Sequence, residues 1–218
     1  MGRLLVDRLT QVSTSLLVLT LAGCALSGSI NPSGTPTPPA PLTDEVLCGV
    51  LPNEALTETL GFLTVTYRYT HSSASERVYG RSGYYYDCTM HSSKTDEFGF
   101  FEFTYQPSTT LPDNPGFDGP VDFQDIPNVF SESLTAITFE GQEGSGWTWE
   151  VNNGAYISWL YPDGHLLTVR LTINNATGDF TAEQLNNYRH VVGTVITQIP
   201  EVASGPAVRT IVPSPTST

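Results

Sequence analysis

Apolar and polar residues alternate in three runs of the chain. Leu63, Val65, Tyr67 and Tyr69 alternate with Thr64, Thr66 and Arg68; Tyr84, Tyr86, Cys88 and Met90 with Tyr85, Asp87 and Thr89; Phe101, Phe103 and Tyr105 with Glu102 and Thr104. A period of two carried by aromatic and β-branched residues predicts strands with one apolar face. Ahead of them, "LPNEALTETLGF" predicts a short helix. Pro52 suits its first turn, Ala55, Leu56 and Leu60 share a face, and Gly61 suits the position past its end. Residues 107–133 have no clean period and predict a long loop. A strand is expected at about 134–140.

The stretch "GWTWEVNNGAYISWLYPDGHLLTVRLTIN" carries the strongest turn signals, Asn153-Gly154 and Asp163-Gly164. Taken as two-residue hairpin turns, they set Val151 opposite Tyr156, Trp149 opposite Ser158 and Trp147 opposite Leu160. The second turn sets Leu160 opposite Leu167, Ser158 opposite Val169 and Tyr156 opposite Leu171. One face then collects Trp147 and Trp149 with Leu167, Val169 and Leu171, and is expected to be the core face. Ile157, Trp159, Tyr161 and Leu166 project from the other, beside Arg170. Left uncovered, those residues are an apolar patch of the kind that marks a binding surface. Covered by a segment such as 107–133, they are a second packed layer.

"FTAEQLNNYRHVVGTVITQI" predicts a closing helix. Thr181 and Gln184 make a capping box, Phe180 and Leu185 a hydrophobic staple, and Leu185, Tyr188, Val192, Val195, Ile196 and Ile199 an apolar stripe. The expected fold is α+β: an antiparallel sheet of two meanders, with an N-terminal and a C-terminal helix packed on one face.

The ends read differently. Arg3 and Arg8 precede "VSTSLLVLTLAG", a positive start and a short apolar core ending in small residues, which is the layout of an export signal. Leu21-Ala22-Gly23-Cys24 resembles a bacterial lipobox. That resemblance implies a signal peptide over 1–23, diacylglycerol on the Cys24 sulfur, and Cys24 as the new N-terminus. Residues 24–43 are then the lipidated cysteine and a Pro/Ser/Thr-rich spacer, 44–201 the domain, and 202–218 a second Pro/Ser/Thr-rich tail. The expected location is the outer face of the bacterial cytoplasmic membrane. With Cys24 assigned to lipid, Cys48 and Cys88 remain as an even pair in an oxidising compartment, where a disulfide is expected.

"CGVLPNEALTETLGF" with a second cysteine forty residues on resembles a group of actinobacterial lipoproteins that share a lipobox, a proline-rich spacer and a domain of unknown function. The likeness covers residues 48–61 and 88. Members often carry an aromatic residue soon after the second cysteine, where this chain has "CTMHSS". In layout the chain is also similar to PsbP-like sandwiches, a likeness of fold that fixes no function.

The formal net charge is −13, and Lys94 is the only lysine. Loss of Arg3, Arg8 and Asp7 with the signal makes it −14. Such a chain is repelled by nucleic acid and by anionic headgroups, so membrane attachment is expected only through the lipid on Cys24.

No G-x-S-x-G elbow, H-E-x-x-H, C-x-x-C or phosphate-cradling glycine loop occurs, and no motif asks for a cofactor. His71, His91, His165 and His190 are scattered and read as solvated or hydrogen-bonded. Asp113, Asn114, Asp118, Asp122 and Asp125 form an oxygen-rich set of the kind Ca²⁺ takes, at a spacing that fits no calcium loop. The expected function is a non-catalytic module binding an envelope protein, a glycan or another ligand. The alternative is an envelope hydrolase acting on glycan or ester substrates, with Asp118 and Asp122 as acid and base.

Overall fold

The alternating runs are strands, and they pair in chain order. The computed structural model describes residues 39–93, 96–112, 120–130, 133–174 and 179–212. The expected signal 1–23, Cys24 and most of the spacer lie outside these, as do Asp113, Asn114 and Asp118. A small ribbon of β1 (Val46–Leu47) and β2 (Leu51–Pro52) opens the fold. There follow β3 (Thr64–Ala74), α1 (Glu76–Tyr79), β4 (Gly83–Ser92), β5 (Phe98–Gln106), α2 (Ile126–Val129), β6 (Thr135–Ile137), β7 (Ser145–Val151), β8 (Gly154–Leu160), β9 (Leu166–Ile173), α3 (Ala182–Ala203) and β10 (Val208–Val212). Strands β3 to β10 form one antiparallel sheet of eight, in the order β10-β3-β4-β5-β9-β8-β7-β6.

An antiparallel sheet with few helices is the expected class, but two details differ. The meanders are not separate: β5 pairs with β9, setting Phe101 against Leu171, Phe103 against Val169 and Tyr105 against Leu167. Each strand has an apolar side, and joining them makes one continuous apolar face that a single helix can cover. The expected N-terminal helix is instead a π-helical turn, Ala55–Leu60, closed by Gly61 at φ 74°. A segment that short buries only Leu56 and Leu60. The Cys48–Cys88 disulfide joins the ribbon just before it to β4.

The back face of the sheet carries three buried rows that run from strand to strand. One is Tyr67, Met90, Phe101, Leu171 and Ala155; the next is Cys88, Phe103, Val169 and Ile157; the third is His71, Tyr86, Tyr105, Leu167 and Trp159. Helix α3 lies over them. Its capping box forms as expected, Gln184 N–H donating to Thr181 Oγ1 at 3.2 Å and Thr181 N–H to Gln184 Oε1 at 2.7 Å. Tyr188, Val191, Val192, Val195, Ile196 and Ile199 are its buried stripe.

The expected register of β8 and β9 is wrong by one residue, and this exchanges faces. Leu160 pairs with Leu166, Ser158 with Thr168 and Tyr156 with Arg170. Leu167, Val169 and Leu171 therefore share the back face with Ile157 and Trp159, while Leu166 and Arg170 share the front face with Trp147 and Trp149. The cause is the second turn. Gly164 N–H donates to Tyr161 O at 2.8 Å, Tyr161 N–H donates to His165 O at 2.9 Å, and Gly164 sits at φ 81°. That is a type I turn with a glycine bulge, one residue longer than an Asp-Gly turn, and Pro162 is preset for its first central position.

The first turn also moves, without changing faces. Its centre is Asn152-Asn153, and Val151 pairs with Gly154. Asn152 takes φ 55°, a conformation asparagine tolerates. Gly154 opens the strand, and glycine suits the position because a Cβ there would stand 2.8 Å from the Tyr156 ring.

On the front face the segment after β5 folds back as a cover. Leu111, Val121, Phe123, Ile126 and Phe130 pack on Trp149, Tyr156 and Leu166. The expected tail, 202–218, is also corrected: α3 continues to Ala203, and Val208–Val212 adds an edge strand to β3. Its β-branched residues, Val208, Thr210, Ile211 and Val212, suit that role. Among the described residues no helix is long and apolar enough to cross a membrane.

Candidate functional site

The residues expected to form a surface patch are interior. Ile157, Trp159 and Leu166 are fully buried, and Tyr161 is 9% exposed. Ile157, Trp159 and Tyr161 lie in the core under α3, where the Tyr161 hydroxyl donates to Ile196 O at 2.9 Å. Leu166 is buried on the other face, beneath the cover. Arg170 donates to Glu102 at 3.5 Å and lies over the rings of Phe100 and Tyr156. The binding-patch expectation is overturned because both faces of β8 and β9 are covered.

Cys48 and Cys88 are disulfide-bonded, as expected, with both residues fully buried. Cys48 holds a positive φ of 53°, and its carbonyl accepts a hydrogen bond from the buried Tyr86 hydroxyl.

Asp122 has a local structural task. Its Oδ1 accepts from Gln124 N–H at 3.1 Å, capping the turn Phe123–Asp125, and its Oδ2 accepts from Thr109 Oγ1 at 2.5 Å. Asp125 is exposed at the end of that turn. Asp113 and Asp118 lie outside the described residues. Among the described residues no group of three or more His, Cys, Asp or Glu side chains is placed to hold a metal.

His165 and Asp163 have the contact of a catalytic pair but not its opening. His165 Nδ1 is 2.8 Å from Asp163 Oδ2, and the ring stacks on Tyr105 with centroids 4.6 Å apart. Its Nε2 accepts the backbone N–H of Tyr84 at 3.3 Å. An N–H can only donate, so Nε2 is the bare nitrogen, the proton sits on Nδ1 facing Asp163, and no position remains for a nucleophile. His71 is likewise internal, its Nε2 2.5 Å from Pro206 O. His91 is exposed on β4; desolvation, and then the Arg68 charge, hold its pKa below the ordinary histidine value.

An open groove of about 660 Å³ lies between α3 and the β6 edge of the sheet. Asn186, Arg189 and His190 form one wall, three and four residues apart on the outer side of α3 and all exposed. Asn187 stands beside them, half-buried. Thr138 and Glu140 form the other wall, and Ile137 and Phe139 contribute apolar surface.

Phe139 is half-buried and its position is built by glycines. A turn follows β6, with Gly141 at φ 72° and Gln142 N–H donating to Phe139 O at 3.1 Å. Behind the ring, Gly193 leaves room on α3: a Cβ there would stand 3.3 Å from Phe139 Cδ1. The ring meets Trp159 edge to face, centroids 5.3 Å apart. Trp159 in turn occupies space freed by Gly146, where a Cβ would come within 2.7 Å of the indole. Trp159, sought on an exposed face, thus supports this groove from behind.

Arg189 also acts on Glu150. Desolvation and Asp179 push the Glu150 carboxyl above its ordinary pKa, and Arg189 pulls it part of the way back. The sequence pattern marks only the apolar stripe of this helix and gives His190 as a solvated or hydrogen-bonded histidine; it does not single out Asn186 and Arg189.

No protein-family model, curated protein or solved structure matches this chain.

Proposed function

We propose that this chain is a lipid-anchored protein of the outer face of the bacterial cytoplasmic membrane, and that it binds an envelope ligand without acting on it chemically. The groove between α3 and β6 is the binding place. The observation that carries the reading is that groove: about 660 Å³, within the size of ordinary ligand sites, with hydrogen-bonding side chains on two opposed walls. Export is supported by "LAGC" at residues 21–24, the proline-rich spacer behind it, and a buried disulfide of the kind that oxidising compartments favour. A binding role is favoured over a hydrolytic one because Asp122 and the His165–Asp163 pair are engaged in structural hydrogen bonds.

Two experiments test the proposal. Mass spectrometry of the membrane-extracted protein should find a lipidated Cys24 at the N-terminus, and Cys24→Ser should release the chain; a processed, membrane-bound Cys24→Ser chain overturns the anchor. A photoreactive side chain at Thr138 or His190 should capture one discrete envelope component in cells. The same group at Val78, which is 70% exposed, should not. Equal labelling from all three positions overturns the groove as the binding place.

A further inference from the structure

We infer that the groove takes a neutral saccharide, with one sugar ring laid on Phe139 and its hydroxyls held by Asn186, Asn187, Arg189 and Glu140. The inference rests on the groove being the binding place and adds the class of ligand.

Charge is the first argument. Arg189 on one wall and Glu140 on the other carry opposite signs. A strongly anionic ligand meets Glu140, and a strongly cationic one meets Arg189. A hydroxyl both donates and accepts, so a ring bearing several of them can use both walls. Guanidinium offers donors only, carboxylate acceptors only, and each asparagine amide both.

Phe139 is the second argument. Its ring lines the groove while Trp159 and Gly193 hold it from behind. A sugar has an apolar C–H face between its equatorial hydroxyls, and an aromatic ring fixed in place is a platform for that face. The polar partners on α3 stand on a helix anchored by its buried stripe, so little ordering is needed on binding.

The competing occupant is an extended peptide added to the free edge of β6. That strand is three residues long, Thr135–Ile137, and offers too short a ladder to hold a peptide by main-chain bonds.

The test titrates the full mature chain, made lipid-free by Cys24→Ser, with chitotetraose, maltotetraose, mannotetraose and an arabinan hexamer, followed by ¹H–¹⁵N NMR. At least one should give saturable shifts of the Asn186 and Asn187 side-chain amides and of the indole N–H of Trp159, whose ring meets Phe139 edge to face. Asn186→Ala, at an exposed helix position, should weaken that binding about 5-fold with an unchanged melting temperature. Phe139→Ala should weaken it by about 10-fold, and Phe139→Tyr should restore it, which separates loss of the platform from loss of folding. If none of the four sugars moves these resonances, and a hexapeptide instead shifts the backbone amides of 135–138, the saccharide inference fails and the groove stands. If sugars shift resonances only outside the groove, both fail.

Discussion

Trp149 and Tyr156 stack across β7 and β8, with ring centroids 5.3 Å apart and planes 9° from parallel. Phe130 closes on Trp149 from the cover at 4.7 Å, and Arg170 lies 5.4 Å over Tyr156 and 4.6 Å over Phe100. This line of side chains ties the covering segment to β7, β8, β9 and β5 on the front face. On the back face Trp159 does comparable work beneath α3. The sheet therefore has two cores, and a tryptophan anchors each.

Loss of either tryptophan should be equally severe. Trp149 is 1% exposed and Trp159 fully buried. Truncating a buried aromatic to alanine costs about 3–5 kcal/mol, transfer and cavity together. Urea unfolding should find Trp149→Ala and Trp159→Ala both destabilised on that scale, while Val78→Ser on the exposed α1 changes stability by less than about 0.5 kcal/mol. A nearly neutral Trp159→Ala would mean that α3 does not cover the back face.

Most of this layering is legible in the sequence, and the failures are local and physical. Period two found β3, β4 and β5, and the capping box fixed the start of α3. The exchange of faces came from one turn. Asp163-Gly164 signals a two-residue hairpin, but Pro162 before it favours the longer type I turn, and the added residue moved Leu167, Val169 and Leu171 to the opposite face. The pairing of β5 with β9 and of β10 with β3 joins residues far apart in sequence, which no periodicity reports. The groove itself was not legible. The apolar stripe of α3 was visible, whereas the groove's other wall depends on Gly193 and Gly146 making room for Phe139 and Trp159 and on the turn at Gly141. Helix-interior Gly193 and the glycines of "GQEGSG" were the available signals.

The disulfide should matter more than its single contact suggests. It bridges Cys48 and Cys88, 40 residues apart, and ties the opening ribbon to a central strand. On the chain-entropy model a loop of that length is worth about 4 kcal/mol. The double variant Cys48→Ala/Cys88→Ala should melt many degrees lower, with the same far-ultraviolet signature at low temperature. An unchanged melting temperature would show that the ribbon is held by its own packing.

Removing certain buried hydroxyls should leave stability intact or improve it. Ser158 Oγ and Thr168 Oγ1 belong to paired residues on β8 and β9, and both are buried without a hydrogen-bond partner. An unmet polar group costs about 1–3 kcal/mol, and an apolar group of the same shape removes that cost. Thr168→Val, and Ser158→Ala with it, should therefore raise the denaturation midpoint or leave it unchanged. A drop of more than about 1 kcal/mol would place an ordered water between the two hydroxyls.

Alkaline unfolding follows from the buried tyrosines. Tyr86, Tyr161 and Tyr188 each donate a hydrogen bond to a backbone carbonyl, of Cys48, Ile196 and Val169. Desolvation pushes all three hydroxyls well above the ordinary value of 10, and Tyr105 is raised for the same first reason. A folded pKa above the unfolded one means that the folded state keeps protons the unfolded state releases. The stability this represents is complete below about pH 10 and is lost progressively above it, by about 1.4 kcal/mol per pH unit for each tyrosine still protonated in the fold. With three such groups the slope is about 4 kcal/mol per pH unit. Tyrosinate absorbance at 295 nm should rise in two stages, with the signal of Tyr86, Tyr161 and Tyr188 appearing only with cooperative loss of the tertiary signal. A single smooth titration of all ten tyrosines near pH 10, with the fold intact, would contradict the buried hydrogen bonds on which the back face is built.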